Sequence, residues 1–169
     1  SCKKLAREAG TPVFPGTDGE IEELEEAIEM ADIIGYPVIV KASAGGGGKG
    51  MRVAHNVASL RTAVTAAKQE AVASFGNGAV YLEKFLENAR HVEVQVIGDK
   101  HGNAVHLFNR DCTSQRRHQK LVEEGPAPGI DPAVRDKVCE SAAELIRKAQ
   151  YSGAATVEFL MNDKQEFFM

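Results

Sequence analysis

Tyr36-Pro37-Val38-Ile39-Val40-Lys41-Ala42-Ser43-Ala44-Gly45-Gly46-Gly47-Gly48-Lys49-Gly50-Met51-Arg52-Val53-Ala54 is the stretch on which the fold turns. Its two ends are short β-rich runs and its middle is made of small residues, so the whole reads as a hairpin. So many glycines sacrifice chain entropy unless the backbone must approach something closely, and the usual something is phosphate. Gly45, Gly47 and Gly50 satisfy GxGxxG, but that fingerprint needs a helix behind it, and here a strand-like run follows. A Walker loop fits less well still, because Lys49 precedes Gly50 rather than Ser or Thr, and Ser43 stands where the first glycine belongs. What remains is a glycine flap whose amide N–H groups can close over a triphosphate, with Lys41 at the end of the preceding strand supplying a point positive charge. A flexible surface hairpin is the plain alternative.

Outward from the loop, Lys3 to Ala9 reads as a helix stopped by Gly10, and Thr11 to Gly16 as extended or turning chain. Thr17 and Glu20 have capping-box spacing, and Ile21, Leu24, Ile28, Ala31 and Ile34 recur at helical period behind them. Asn56 caps an expected helix carrying Leu60, Ala63, Val64 and Ala67, ending before Phe75-Gly76. Strands are expected at 79–85, 91–97 and 104–111, an antiparallel signature. Asp131-Pro132 predicts a helix start, with Val134, Val138, Leu145 and Ala149 as its buried stripe. Two further strands, near 155–161 and 166–169, flank a turn at 162–165.

The chain's 169 residues and 43% hydrophobic content suffice for a core of its own. A formal charge of −4 and a pI near 5.8 argue against a general polyanion binder, so any anion site must be local. No run approaches the roughly 18 apolar residues needed to cross a bilayer, and the start has no apolar signal region. A soluble, cytoplasmic-type protein follows as the expectation, with no membrane and no nucleic acid among its partners. Three widely spaced cysteines without a CxxC pair suggest a reducing compartment rather than zinc or dithiol chemistry.

Polar residues recur where strands should be simple. In His91-Val92-Glu93-Val94-Gln95-Val96 the valines share one face and His91, Glu93 and Gln95 the other, which a solvated sheet face would explain equally well. Arg110-Asp111-Cys112-Thr113-Ser114-Gln115-Arg116-Arg117-His118-Gln119-Lys120 is a dense run of donors suited to a phosphate or carboxylate pocket. RNA binding is its rival, disfavoured because no interleaved aromatics are present to stack bases. No strand-turn-helix elbow frames a serine for a hydrolase triad, and Cys112 lacks the flanking signature of a catalytic thiol. Glu158 interrupts the β-rich run 155–160, where a lone carboxylate beside a triphosphate would suit Mg²⁺ as well as it would suit solvent.

Taken in order, these segments resemble the ATP-grasp fold, an α+β architecture, and specifically the biotin carboxylase component of biotin-dependent carboxylases such as those acting on acetyl-CoA, propionyl-CoA or pyruvate. The resemblance rests on Lys41-Ala42-Ser43 with the glycine loop through Val53, Glu83-Lys84-Phe85, Arg90 to Gln95, and Arg110-Asp111-Cys112 leading to Gln115 through Lys120, then Glu123-Glu124 and Pro126-Ala127-Pro128. It implies leading helices over 1–35, a lid subdomain over 36–87, and the first part of a larger antiparallel subdomain over 88–169. It implies that Lys41 binds ATP phosphates, that Gly45, Gly46, Gly47 and Gly48 close over them, and that Glu83, Lys84 and Leu86 hold adenine. By the same resemblance His91, Gln115 and His118 contact ribose and phosphates, Lys120 is the catalytic residue facing bicarbonate or carboxyphosphate, and Glu158 binds Mg²⁺ or Mn²⁺. The implied cofactors are ATP and the metal, with biotin as carrier-bound substrate. The implied partners are bicarbonate, a biotin carboxyl carrier domain, a carboxyltransferase and a second copy in a homodimer; in a eukaryote the mitochondrial matrix would be the compartment.

The resemblance also places an earlier phosphate-binding lysine before Ser1 and a second metal-binding glutamate after Met169, together with bicarbonate-binding groups. The expectation is that the 169 residues alone bind nucleotide weakly and lack bicarbonate-dependent ATPase activity. The rivals are another ATP-grasp ligase of carbamoyl phosphate synthase type, and a non-catalytic nucleotide-binding module.

Overall fold

The computed structural model describes residues 2–45, 50–116 and 119–169, and of Cys2 the backbone only. Its helices are α1 (Cys2–Glu8), α2 (Leu24–Ile34), α3 (Val57–Phe75) and α4 (Pro132–Lys148). Its strands are β1 (Val38–Ala42), β2 (Met51–Ala54), β3 (Val80–Lys84), β4 (Arg90–Gly98), β5 (Ala104–Asp111), β6 (Gln115–Arg116), β7 (Gln119–Lys120), β8 (Gly153–Met161) and β9 (Phe167–Phe168). Helices and antiparallel sheets together meet the α+β expectation. Backbone contacts divide the chain into two compact units, Phe14–Leu86 and Ser1–Val13 with Glu87–Met169.

In the unit Phe14–Leu86, a three-stranded antiparallel sheet runs β2-β1-β3, and the expected hairpin forms with Lys41 opposite Met51 at its mouth. Val38, Val40, Val80 and Leu82 are completely buried against Leu60, Ala63, Val64 and Ala67 of α3 and Ala27 and Ala31 of α2. Helix α3 starts as its sequence requires. The Asn56 side chain accepts from Ser59 N at 2.9 Å while Ser59 Oγ accepts from Asn56 N at 3.1 Å, and Gly76 ends the helix at φ 71°.

The capping box expected at Thr17 and Glu20 does not form. Helix α2 begins only at Leu24, with Glu23 as a cap that makes no side-chain bond. Thr17 is instead used by β3: its amide donates to Leu82 O at 3.0 Å, and its hydroxyl accepts from Leu82 N at 3.2 Å. The physical reason is that the free edge of β3 needs main-chain partners, and 15–21 supply them, with Ile21 bridging Val80. Gly16 lies against the same edge so closely that an added Cβ would sit 2.4 Å from Leu82 O. Gly16→Ala is therefore expected to destabilise this unit by about 1–3 kcal/mol, the range for forced overpacking, read by urea denaturation.

The other unit is built on a four-stranded antiparallel sheet, β5-β4-β8-β9. Strands β4 and β8 pair continuously from Arg90↔Met161 to Gly98↔Gly153. Val92, Val94, Val96, Phe159 and Met161 face Val138, Cys139, Ala142, Ala143 and Ile146 of α4, with Ala6 of α1 in the same core. Helix α4 opens as expected on Asp131, whose carboxylate accepts from Ala133 N at 2.8 Å, with Pro132 in the first turn. Ala149, expected in the buried stripe, is instead the exposed C-cap, because the helix ends one residue earlier. Strand β5 shifts register between Val94 and Val96, where Phe108 takes φ 61°. Among the described residues no helix is long and apolar enough to cross a membrane.

Candidate nucleotide and metal site

Alternation along β1 and β3 puts Ile39, Lys41, Tyr81 and Glu83 on the sheet face away from the helices. Lys41 Nζ donates to Glu83 Oε2 at 2.5 Å, and Glu83 is 5% exposed. The lysine's orientation is thereby set by a buried strand carboxylate. Lys84 Nζ donates to Gly35 O at 2.9 Å and Tyr36 O at 2.8 Å, which ties the end of α2 to β3. Leu86 lies half-buried two residues beyond β3, and Gly45 N donates to Ala42 O at 3.1 Å in the turn leaving β1. Gly46, Gly47, Gly48 and His118 lie outside the described residues.

In the other unit, the polar face of β4 faces no bulk solvent at its centre. Glu93 is 3% exposed, which removes solvation as the explanation for the alternation His91, Glu93, Gln95. Register places Glu93 directly opposite Arg110 on β5 and Glu158 on β8. Arg110 Nε donates to Glu93 Oε1 at 2.9 Å and its Nη2 binds the same oxygen, while Lys120 Nζ binds Glu93 Oε2. Lys120 also donates to Glu158 Oε1 at 2.8 Å. Gln115 Nε2 donates to Cys112 O at 2.8 Å and lies 2.6 Å from His91 Nδ1. On the other side of the ring, His91 Nε2 lies 3.6 Å from Glu158 Oε2. Lys120, His91, Gln115 and Glu158 are thus brought together in this unit. Glu93 and Arg110 complete the group and escaped the sequence-level choice of site residues.

The charges in this cluster reinforce one another. His91 beside Glu158, with Lys120 outweighing the opposing effect of burial, holds the Glu158 carboxyl down at about 2. Burial pushes the Glu93 carboxyl up, but hydrogen bonds and charge from Lys120 and Arg110 more than reverse this and lower it. Burial alone would lower the Lys120 ammonium; its bonds to Glu158 and Glu93 raise it well above the ordinary lysine value. Burial, with Glu93 nearby, pushes the Cys112 thiol up to about 11, so it stays protonated and is no nucleophile.

Glu158 suits a hard cation. Its side chain is 54% exposed, it is ionised at neutral pH, and its Oε2 makes no close bond. Glu93, Cys112 and Glu123 also bring ligand atoms within 4.8 Å of one another. They do not fit a cation, because both Glu93 oxygens are taken by Arg110 and Lys120 and the thiol is protonated.

Asp111 anchors the loop that carries Gln115. Its Oδ2 accepts from Arg90 Nε at 3.0 Å and Nη2 at 2.7 Å, and its Oδ1 from Thr113 N at 2.9 Å. Burial acts upward on the Asp111 carboxyl, but Thr113 and Arg90 prevail and lower it. A lowered folded value means stability that is present above the unfolded value of about 3.9 and is lost as pH falls through the folded one. Asp111→Asn is expected to cost about 1–2 kcal/mol at pH 7, with the gap to wild type closing in acid. Urea denaturation across a pH series reads this.

A glycine hairpin beside a strand lysine, and a sheet face joining lysine, histidine and a metal-ready glutamate, define a protein of the ATP-grasp class. Comparison with known proteins gives the family. All of residues 1–169 match the family described as the carbamoyl-phosphate synthase L chain, ATP binding domain, and the chain belongs to that family. It is 49% identical over 168 residues to pyruvate carboxylase of Bacillus subtilis, covering 99% of this chain and 15% of that protein. The biotin carboxylase of Campylobacter jejuni, solved as a β,γ-ATP complex, superposes with TM-score 0.94 at 48% identity, over 98% of this chain and 37% of that one. The biotin carboxylase domain of Hydrogenobacter thermophilus 2-oxoglutarate carboxylase, a dimer solved with MgADP, ADP and bicarbonate, gives TM-score 0.92 at 43% identity, with 98% and 37% coverage. The chain therefore spans well under half of each of these proteins.

Proposed function

We propose that these residues are the ATP-binding segment of a biotin carboxylase, which uses ATP and bicarbonate to carboxylate biotin on a carrier domain serving a carboxyltransferase. The observation that carries this is the cluster His91, Gln115, Lys120 and Glu158 on one sheet face, in a chain 48% identical to a biotin carboxylase solved as a β,γ-ATP complex. In this reading residues 36–87 act as the lid, after the leading helices of 1–35, and 88–169 belong to the larger subdomain.

Lys41, held by Glu83, neutralises phosphate charge, and the glycine loop through Gly45 to Gly48 covers it. The end of β3 at Glu83, Lys84 and Leu86 receives adenine. Lys84 serves there by fixing the β3 end, since its ammonium is engaged by the carbonyls of Gly35 and Tyr36. His91, Gln115 and His118 orient ribose and phosphates, and Lys120 presents its ammonium to bicarbonate or carboxyphosphate. Glu158 would hold Mg²⁺, which when bound supplies charge neutralisation for the transferring phosphoryl group. The chain's own share is positioning and electrostatic preorganisation rather than covalent chemistry. A homodimeric parent, located in the cytoplasm or in the mitochondrial matrix of a eukaryote, belongs to the same proposal.

Exchanging these residues for the matching stretch of the Campylobacter jejuni biotin carboxylase tests it. Bicarbonate-dependent ATP hydrolysis with carboxylation of free biotin is the expected result. The family takes its description from carbamoyl-phosphate synthase, which is the second reading, while the carboxylase relatives support the first. Loss of biotin carboxylation with nucleotide binding intact would support the second reading and defeat the first.

A further inference from the structure

Two carboxylates share one ammonium on the polar face of β4, β5 and β8. Lys120 Nζ binds Glu93 Oε2 and donates to Glu158 Oε1 at 2.8 Å. The two acceptors are physically unlike. The Glu93 side chain is 4% exposed and that of Glu158 54% exposed. Glu93 Oε1 is gripped by Arg110 through Nε at 2.9 Å and through Nη2, and Gln95 Oε1 lies 3.4 Å from Arg110 Nη1 and Nη2. Glu158 has no such clamp, and its Oε2 is 3.6 Å from His91 Nε2, beyond a normal hydrogen bond.

Register sharpens the contrast. Glu93 and Glu158 pair directly across β4 and β8, where like charges facing each other are destabilising. Lys120 bonded to both relieves that repulsion. A cation arriving at Glu158 would relieve it as well, and would compete with Lys120 for the same oxygens. Glu93 cannot take part in such an exchange, because drawing it away from Arg110 would strand a largely buried charge.

We propose that Glu93 is a positioning residue for Lys120: clamped by Arg110, it keeps the ammonium in place while Glu158 exchanges its bond to Lys120 for one to a divalent cation. This rests on the assignment of Glu158 to the metal. It divides the labour on one sheet face between a fixed carboxylate and an exchangeable one, so that metal loading does not release the lysine meant to face the anion.

The test uses the 169-residue chain with ¹³C-labelled lysine and glutamate side chains, followed by NMR. Glu93→Gln is expected to free the Lys120 side chain, its order parameter falling below about 0.6, while the amides of Val92, Val94 and Val157 keep their folded positions. Glu93→Asp keeps the charge one methylene short and gives an intermediate loss. Glu158→Gln leaves Lys120 ordered, and Mg²⁺ added to wild type shifts the Glu158 carboxyl carbon without loosening Lys120. The proposal is overturned if Glu158→Gln frees Lys120 as fully as Glu93→Gln does, or if Mg²⁺ mobilises Lys120. Should Glu93→Gln fail to fold, Glu158→Gln and the Mg²⁺ titration decide by themselves. A Glu158 carbon indifferent to Mg²⁺, with and without ADP, defeats the metal assignment, and the variant comparison still separates the fixed anchor from the exchangeable one.

Discussion

Lys41→Met is expected to weaken binding of Mg-ADP to this chain by about 10- to 150-fold, the loss of one charge-assisted contact worth about 1.5–3 kcal/mol. Methionine keeps the aliphatic stem on the strand face and removes only the ammonium. The effect should exceed that of removing any exposed lysine, because Lys41 is not free to wander: the buried Glu83 carboxylate holds its Nζ at 2.5 Å and sets its direction. A preorganised charge loses less entropy on meeting phosphate than a mobile one. Calorimetric titration reads the affinity, and Lys68→Met on α3 is the control expected to leave nucleotide binding unchanged. An equal effect at both positions would mean that the chain attracts nucleotide through diffuse charge alone.

Phe159→Ala should cost about 3–5 kcal/mol, the range for removing a buried aromatic from a close-packed core. Phe159 is 1% exposed in the middle of β8 and meets Phe167 edge-to-face at 5.6 Å between ring centroids. It is also the immediate neighbour of Glu158 on the opposite face. Its ring therefore anchors, from the core side, the strand that presents the candidate metal ligand. Far-UV circular dichroism during urea denaturation would show the shift, and Leu107→Ala, on an exposed part of β5, should change little.

The elements that sequence gave away were those with a local chemical signature. Asn56 and Ser59 make the cap of α3, Asp131-Pro132 that of α4, and the alternating valines of β4 all reach the core, as period-two geometry requires. Thr17 was misread because its spacing to Glu20 imitates a cap, whereas a distant strand edge claims its hydroxyl and amide. No local pattern announces such long-range pairing. Phe108 at φ 61° was equally hidden, since nothing about phenylalanine signals a left-handed bulge residue.

The candidate site was legible to a similar depth. Lys41, His91, Gln115, Lys120 and Glu158 stand out as polar residues in or beside β-rich runs, and the last four of these meet on one face. Glu93 stands in plain view in the same alternating run, where a solvated face explains it as well as a functional one. Alternation tells which side a residue faces but not whether that side is wet. Only the register with Arg110 and Glu158, and the return of Lys120 over the strand, turn it into a buried anchor.

The most direct measurement adds Mn²⁺ with ADP to the ¹⁵N-labelled chain and maps the residues whose amide signals the paramagnetic ion broadens. Strong broadening is expected on β8 around Val157, Glu158 and Phe159, reversed by excess Mg²⁺ and abolished by Glu158→Gln. Broadening confined to the acidic face of α2 at Glu25 and Glu29, with β8 untouched, would contradict the assignment of Glu158 to the metal.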